Sequence, residues 1–295
     1  STGTSTPAGP TLQLAALPAS SPPAADVASQ FDSWESYFYP DTIDPLTGIG
    51  TLRNLYDERD ARVLSRMEYT DTTVRAVQLG NGEVDVPRTF DGEHLRAIHG
   101  HLFQDVYEWA GEYRTVEMSK GPGRGFGEVK TGEVDRYLSD AQRLVTSTDW
   151  AGISRNDFVA TASTVFAYVN QAHPFREGNG RTSKVFMAHV AEQSPYRFDF
   201  ARVSPEQWNA GSAMSRPDMF SYAPEPASLV PVFAAVTVDR TAVPPAPDRA
   251  AQARSALSAS YPRPAVDATK QTPQQGTQAR RGSAGYRTDR GSGRE

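Results

Sequence analysis

The chain has 295 residues, of which 38% are apolar and 22% charged, and it contains no cysteine. That length is enough for one large domain or two small ones with a proper core. The lack of cysteine excludes a disulfide scaffold, a thiolate metal site and a cysteine nucleophile. A net charge of −5 argues against general nucleic-acid binding, and no apolar run is long enough to cross a membrane. The first ten residues, STGTSTPAGP, lack the basic and apolar parts of a signal peptide. The chain starts without Met, so it reads as a piece cut from something longer.

Residues 1–30 hold one charge, Asp26, and no aromatic; Ser, Thr, Pro and Ala make up 21 of the 30. Such a stretch buries too little apolar surface to offset its ordering entropy, and it is expected to be a disordered Pro/Ala/Ser-rich leader. Residues 31–240 hold 21 basic and 30 acidic residues and most of the aromatics. Residues 241–295 hold nine Lys/Arg against four Asp/Glu. The expected division is a leader at 1–30, a folded domain at 31–235 and a disordered basic tail at 236–295.

Within the domain, the aromatic cluster SWESYFYP (33–40) is expected to pack onto the body without forming a helix of its own. Residues 54–78 carry Leu55, Val63, Leu64, Met67, Val74 and Val77 at helical spacing, with charges on the other face. Asp91 reads as an N-cap. The helix after it, with Leu95, Ile98, Leu102, Phe103 and Val106, is expected to run over 95–111 and stop at Gly111. Residues 112–129 switch to short alternation and then a Gly-rich run, the pattern of a β-hairpin flap with a loose tip. Helical periodicity returns at 132–145, 157–172 and 181–193; the second of these is apolar enough to be central. The fold class is therefore mainly α, a helical bundle with one small β element.

The two most apolar helices flank AHPFREGNGRTSK (172–184). Pro174 ends the first helix just after His173. Gly178 and Gly180 let the backbone approach an anion, and the N–H groups opening the next helix offer it donors. Asn179 adds a neutral donor. Arg181 and Lys184 bring two cations three residues apart. Glu177 is a lone carboxylate, and a carboxylate beside phosphates implies a hard cation such as Mg²⁺. His173 alone can move a proton near neutral pH. The inventory is that of phosphate chemistry, although neither the P-loop pattern nor the kinase set is present. His94, His99, His101 and His189 show no ligand spacing and read as structural; Trp109, Phe103 and Trp208 read as packing.

HPFREGNGRTSK closely resembles the Fic signature H-P-F-x-D/E-G-N-G-R-x-x-R, matching eight of its nine fixed positions. HLRAIHGHLFQDVYEWAGEYRTVEMSKG (94–121) resembles the helix and flap strand that precede the signature in that family. The stretch 38–57 resembles the opening segment of its prokaryotic members, so the likeness covers roughly 35–230.

The resemblance implies a Fic-type helical bundle with a small β-hairpin flap. It also implies protein AMPylation: AMP passes from ATP to a Tyr, Thr or Ser hydroxyl of a target protein, and pyrophosphate is released. His173 would be the base, Glu177 would hold Mg²⁺, and Gly178, Asn179 and Gly180 would receive the α-phosphate. Arg181 would contact the β-phosphate, Phe175 would anchor the loop, and Lys184 would reach the γ-phosphate. Thr115, Val116, Glu117, Met118, Ser119 and Lys120 would form the flap that docks the target by strand addition, with Lys120 and Arg124 near the nucleotide.

Two departures stand out. Lys184 replaces the second Arg and loses its bidentate fork. The family's inhibitory pattern, Ser/Thr-x-x-x-Glu-Gly/Asn, has no full match; Thr89 to Glu93 has the spacing, but His94 follows. Either a small antitoxin-like partner supplies that Glu, or activity is not restrained in this way. The alternatives are a phosphotransferase on the same fold, which in relatives has Lys at the place of Gly180, or a catalytically weak nucleotide-binding or interaction module. No nucleic-acid or membrane partner is expected. The expected location is the cytoplasm, or a target cell into which the protein is delivered as an effector.

Overall fold

The computed structural model describes residues 30–120 and 124–241, together with the backbone of Thr269–Lys270. The leader reading, most of the basic tail and the flap tip at 121–123 lie outside these residues.

Seven helices are described: α1 (Ala61–Asn81), α2 (Gly92–Phe103), α3 (Glu133–Ser147), α4 (Arg155–Ala172), α5 (Asn179–Ala191), α6 (Pro205–Met214) and α7 (Val230–Val236). The chain is thus mainly α, as its periodicity implies. α4 packs against α3, α5 and α7, and α2 packs against α1 and α5. The apolar sequence of α4 explains its place: Phe158, Ala162, Val165, Phe166, Ala167 and Val169 are all buried. No described helix is long and apolar enough to cross a membrane.

Two helix boundaries differ from the sequence reading. Residues 54–60 are not helical, because Asp60 caps α1 by accepting from the Arg62 and Val63 N–H groups. The buried face of α1 is Leu64, Glu68, Thr72, Ala76 and Leu79, whereas Val74 and Leu55 are about half exposed. α2 is capped by Asp91 as expected, but it ends at Phe103 and not at Gly111. Val106, Tyr107 and Trp109, all buried, lie in the turns that follow it. Gly111 instead sits in a left-handed turn where its Cα lies close to Gly100.

β2 (Tyr196–Phe198) and β3 (Thr237–Asp239) pair antiparallel and return the end of α7 to the body. The flap contributes β1 (Met118–Ser119). Its ladder partner is not the returning arm of a hairpin but β4 (Thr269–Lys270), far along the chain. The returning arm bonds to the strand through the Phe126 N–H, which donates to the Met118 carbonyl (3.0 Å).

The aromatic cluster near the start forms a floor. Phe31, Trp34, Tyr37 and Phe38 are buried around a short 3-10 turn at Glu35–Tyr37. The buried guanidinium of Arg176 rests on it, 4.2 Å from the Trp34 ring and 5.0 Å from that of Phe38. The signature loop is therefore seated on a segment about 140 residues earlier in the chain.

Candidate active site

α4 ends where His173 adopts a left-handed conformation (φ 42°), its N–H reaching back to the Val169 carbonyl. The loop turns at Pro174 and closes at Asn179. The Asn179 side chain accepts from the Phe175 N–H (2.9 Å) and donates to the Phe175 carbonyl (2.6 Å). That amide is therefore spent on loop closure, which leaves backbone donors to face a ligand. α5 starts on Gly178, at φ 80°, with no side-chain cap. α1, α2, α4 and α6, in contrast, each have a capping side chain. The uncapped first turn of α5 therefore carries N–H groups and positive dipole available to an anion. A Cβ at Gly178 would run into the Phe103 ring, so only glycine fits. Gly180 is exposed at the same helix start.

His173 lies beneath Phe126, ring centroids 3.7 Å apart. Burial pushes its pKa well below the ordinary histidine value, and the charges of Lys120, Arg114 and Arg216 push the same way; the Asn170 backbone opposes them. The imidazole is thus neutral at physiological pH, the form that can accept a proton.

Arg181 donates to Glu68, a contact for which α1 supplies the carboxylate, and to the Thr72 hydroxyl (3.2 Å). Glu177 lies 3.6 Å from the same guanidinium. Tyr107 donates to the other oxygen of Glu68. Burial and the Glu68 charge both raise the pKa of Glu177. Burial alone would lower that of Arg181, but the two carboxylates raise it. One cation thus stands between two carboxylates in a nearly closed cleft. No three His, Cys, Asp or Glu side chains among the described residues cluster as a metal cage. A single carboxylate with phosphate oxygens and water is the donor set that suits Mg²⁺, so Glu177 fits that ion.

Lys184 is fully buried, and its Nζ has no hydrogen-bond partner. It sits 4.5 Å from the Trp208 ring centroid and 5.2 Å from that of Phe200, and burial lowers its pKa to about 7. The structure thus places it in an aromatic pocket, apart from the carboxylates around Arg181.

In the flap, Thr115 is bound to Tyr37 and the Phe31 carbonyl, and Val116 is buried. Glu117 accepts from the Val129 and Lys130 N–H groups. These three residues anchor the flap, so the strand itself is Met118–Ser119. Lys120 is exposed, and its charge acts on both His173 and Glu177. Arg124 is drawn away by a 2.6 Å pair with Glu133.

Sequence reasoning missed several groups that hold the loop. Arg114, fully buried, donates to the carbonyls of His173 (2.8 Å), Val116 (2.6 Å) and Gly127. His99 accepts from the Gly111 N–H at Nδ1 (2.8 Å), so its Nε2 carries the proton and donates to the Glu177 carbonyl (3.1 Å). Its ring stacks on Phe175, centroids 3.9 Å apart. A histidine on the apolar face of α2 gave only the signal of a core residue. Glu68 gave the signal of a surface charge.

Residues 89–191 match the Fic/DOC family model. The chain is 34% identical over 171 residues to "Probable protein adenylyltransferase y4lH" of Sinorhizobium fredii, covering 84% of that protein and 56% of its own length. It belongs to the Fic/DOC family. It is also 33% identical over 173 residues to protein adenylyltransferase VbhT of Bartonella schoenbuchensis, matching 58% of this chain but only 35% of that longer protein. Among solved structures it resembles the N-terminal Fic domain, with bound ADP, of a VirB-translocated Bep effector protein from Bartonella quintana. The TM-score is 0.58 at 28% identity, over 69% of this chain and 94% of that one.

Proposed function

We propose that this Fic protein transfers AMP from ATP to a hydroxyl of a target protein. The observation that carries the reading is the neutral, buried His173 held beside the uncapped N-terminus of α5, with Glu177 and Arg181 on the same loop. The target oxygen attacks the α-phosphorus and passes its proton to His173. The bond from the α-phosphorus to the bridging oxygen breaks, and pyrophosphate leaves. Backbone N–H groups at Gly178–Gly180 receive the α-phosphate and Arg181 the β-phosphate, so that positioning and charge neutralisation supply most of the rate. Mg²⁺, held by Glu177, would neutralise phosphate charge when bound.

The target approaches the Met118–Ser119 edge as an added strand, which sets its hydroxyl in register through the backbone. The effector class of the Bartonella quintana neighbour fits delivery of this chain into another cell.

Purified protein with Mg²⁺ and α-³²P-labelled ATP in cell lysate should label a target band that His173→Ala abolishes. A band retained in that variant overturns the assignment of the base. A band seen with γ-labelled and not α-labelled ATP overturns AMP transfer in favour of phosphate transfer.

A further inference from the structure

The flap edge that would receive a target strand already carries one. Thr269–Lys270 pairs antiparallel with it, Lys270 opposite Met118 and Thr269 opposite Ser119. The described part of the flap is tied down at several points. Arg114 holds the Val116 carbonyl, Phe126 holds that of Met118, and Glu117 is bonded to two amides of the following turn. The edge is also tied to the catalytic loop, because the Arg114 N–H donates to the Pro174 carbonyl (2.8 Å) and its side chain to that of His173.

We propose that the segment containing Thr269–Lys270 is this chain's own occupant of the docking edge, and that a target strand must displace it. Only the word target rests on the adenylyl-transfer reading; the pairing does not. Magnitudes favour a displaceable guard. A ladder of two residues is short, so it binds weakly on its own. Because the segment belongs to the same chain, however, its pairing is intramolecular and needs no meeting of two molecules. It therefore excludes weak or dilute partners and yields to one that adds side-chain contacts beyond the two paired residues. Opposite charge supports the approach, since the acidic residues exceed the basic ones in 31–240 and the reverse holds in 241–295.

The absence of cysteine makes a clean test. Directly opposed antiparallel residues have Cα atoms roughly 4.5–5.5 Å apart, within disulfide reach. In the full chain, Ser119→Cys/Thr269→Cys should form a disulfide at least tenfold faster than Ser119→Cys/Thr277→Cys; equal rates overturn the pairing. Hydrogen exchange is an independent measure that needs no cysteine. Thr269→Pro/Lys270→Pro removes the N–H of this segment that faces the flap and should speed exchange at the Met118–Ser119 amide that faces the segment. Unchanged protection overturns the pairing.

For competition, the oxidised Ser119→Cys/Thr269→Cys protein should still bind a fluorescent ATP analogue. It should also label lysate proteins from α-³²P-ATP at least tenfold less than its reduced form. Labelling untouched by the crosslink overturns the guard. If no form labels anything, including the unaltered chain, the transfer reading fails, and the disulfide and exchange rates still decide the pairing.

Discussion

Phe126 lies flat on the imidazole of His173, the two planes 6° from parallel. The flap therefore covers one face of the imidazole as well as carrying the Met118–Ser119 strand. With Phe126 in place, burial is the largest cause of the low histidine pKa.

Phe126→Leu keeps an apolar side chain but uncovers part of the ring. The His173 pKa should rise toward its ordinary value as water gains access. The acid limb of kcat/KM should move to higher pH, while activity at pH 8 changes less than tenfold. The pH–rate profile checks this, and an unmoved acid limb would show that Phe126 does not set the pKa.

Glu68 joins α1 to the signature loop through Arg181, and Tyr107 joins it from the segment after α2. Glu68→Ala leaves a buried guanidinium short of one carboxylate, and removing one partner of a buried pair costs about 3–5 kcal/mol. Glu68→Gln should cost less and keep the fold. With one counter-charge gone, Arg181 loses its fixed position, and KM for ATP should rise about tenfold with little change in kcat. Steady-state kinetics against ATP, with the melting temperature alongside, separate this from simple unfolding.

Lys184 has its ammonium buried without a hydrogen-bond partner. Burying a polar group unpaired costs about 1–3 kcal/mol, and the facing rings return part of that. Lys184→Met fills the same space without charge and should raise the melting temperature by a few degrees at pH 7. The gain should shrink at pH 9, where the native lysine, with its pKa near 7, is already neutral. Calorimetry at the two pH values gives the comparison; a lower melting temperature in the variant would show that the ammonium is held favourably.

The buried histidines make the fold acid-sensitive. Burial lowers the pKa of His94 to about 4, His99 to about 3 and His189 to about 2. The unfolded chain takes up these protons near pH 6.5 and the folded chain does not. Their stability contribution is therefore complete above about pH 6.5 and falls as the pH drops toward the folded values, by up to about 1.4 kcal/mol per pH unit for each histidine. The melting temperature should fall steeply between pH 6.5 and 5. His94 donates to His189 (2.9 Å), because its Nδ1 already accepts from the Phe90 N–H. His189→Gln should flatten that slope, and a slope that does not change would place the acid sensitivity elsewhere.

The sequence by itself determined what local chemistry can write. The Asp91 cap, the apolar run of α4 and the contiguous His173–Lys184 loop were legible because each is a pattern within a few turns of chain. Family membership rests on a longer match, over residues 89–191, that contains this loop. Tertiary structure decided everything that required two distant segments to meet. α1 turned a polar face inward because Arg181 and Tyr107 wait there for Glu68, and no periodicity shows a carboxylate whose partners are far along the chain. His99 became the clamp on Glu177 only through the turn that brings the Gly111 N–H to its other nitrogen. Lys184 kept its helical position, but its charge went to the rings of Phe200 and Trp208, which follow α5. The flap's alternation was readable, yet its partner strand was not. A backbone edge pairs through groups every residue has, so the choice of Thr269–Lys270 leaves no mark in the sequence of either strand.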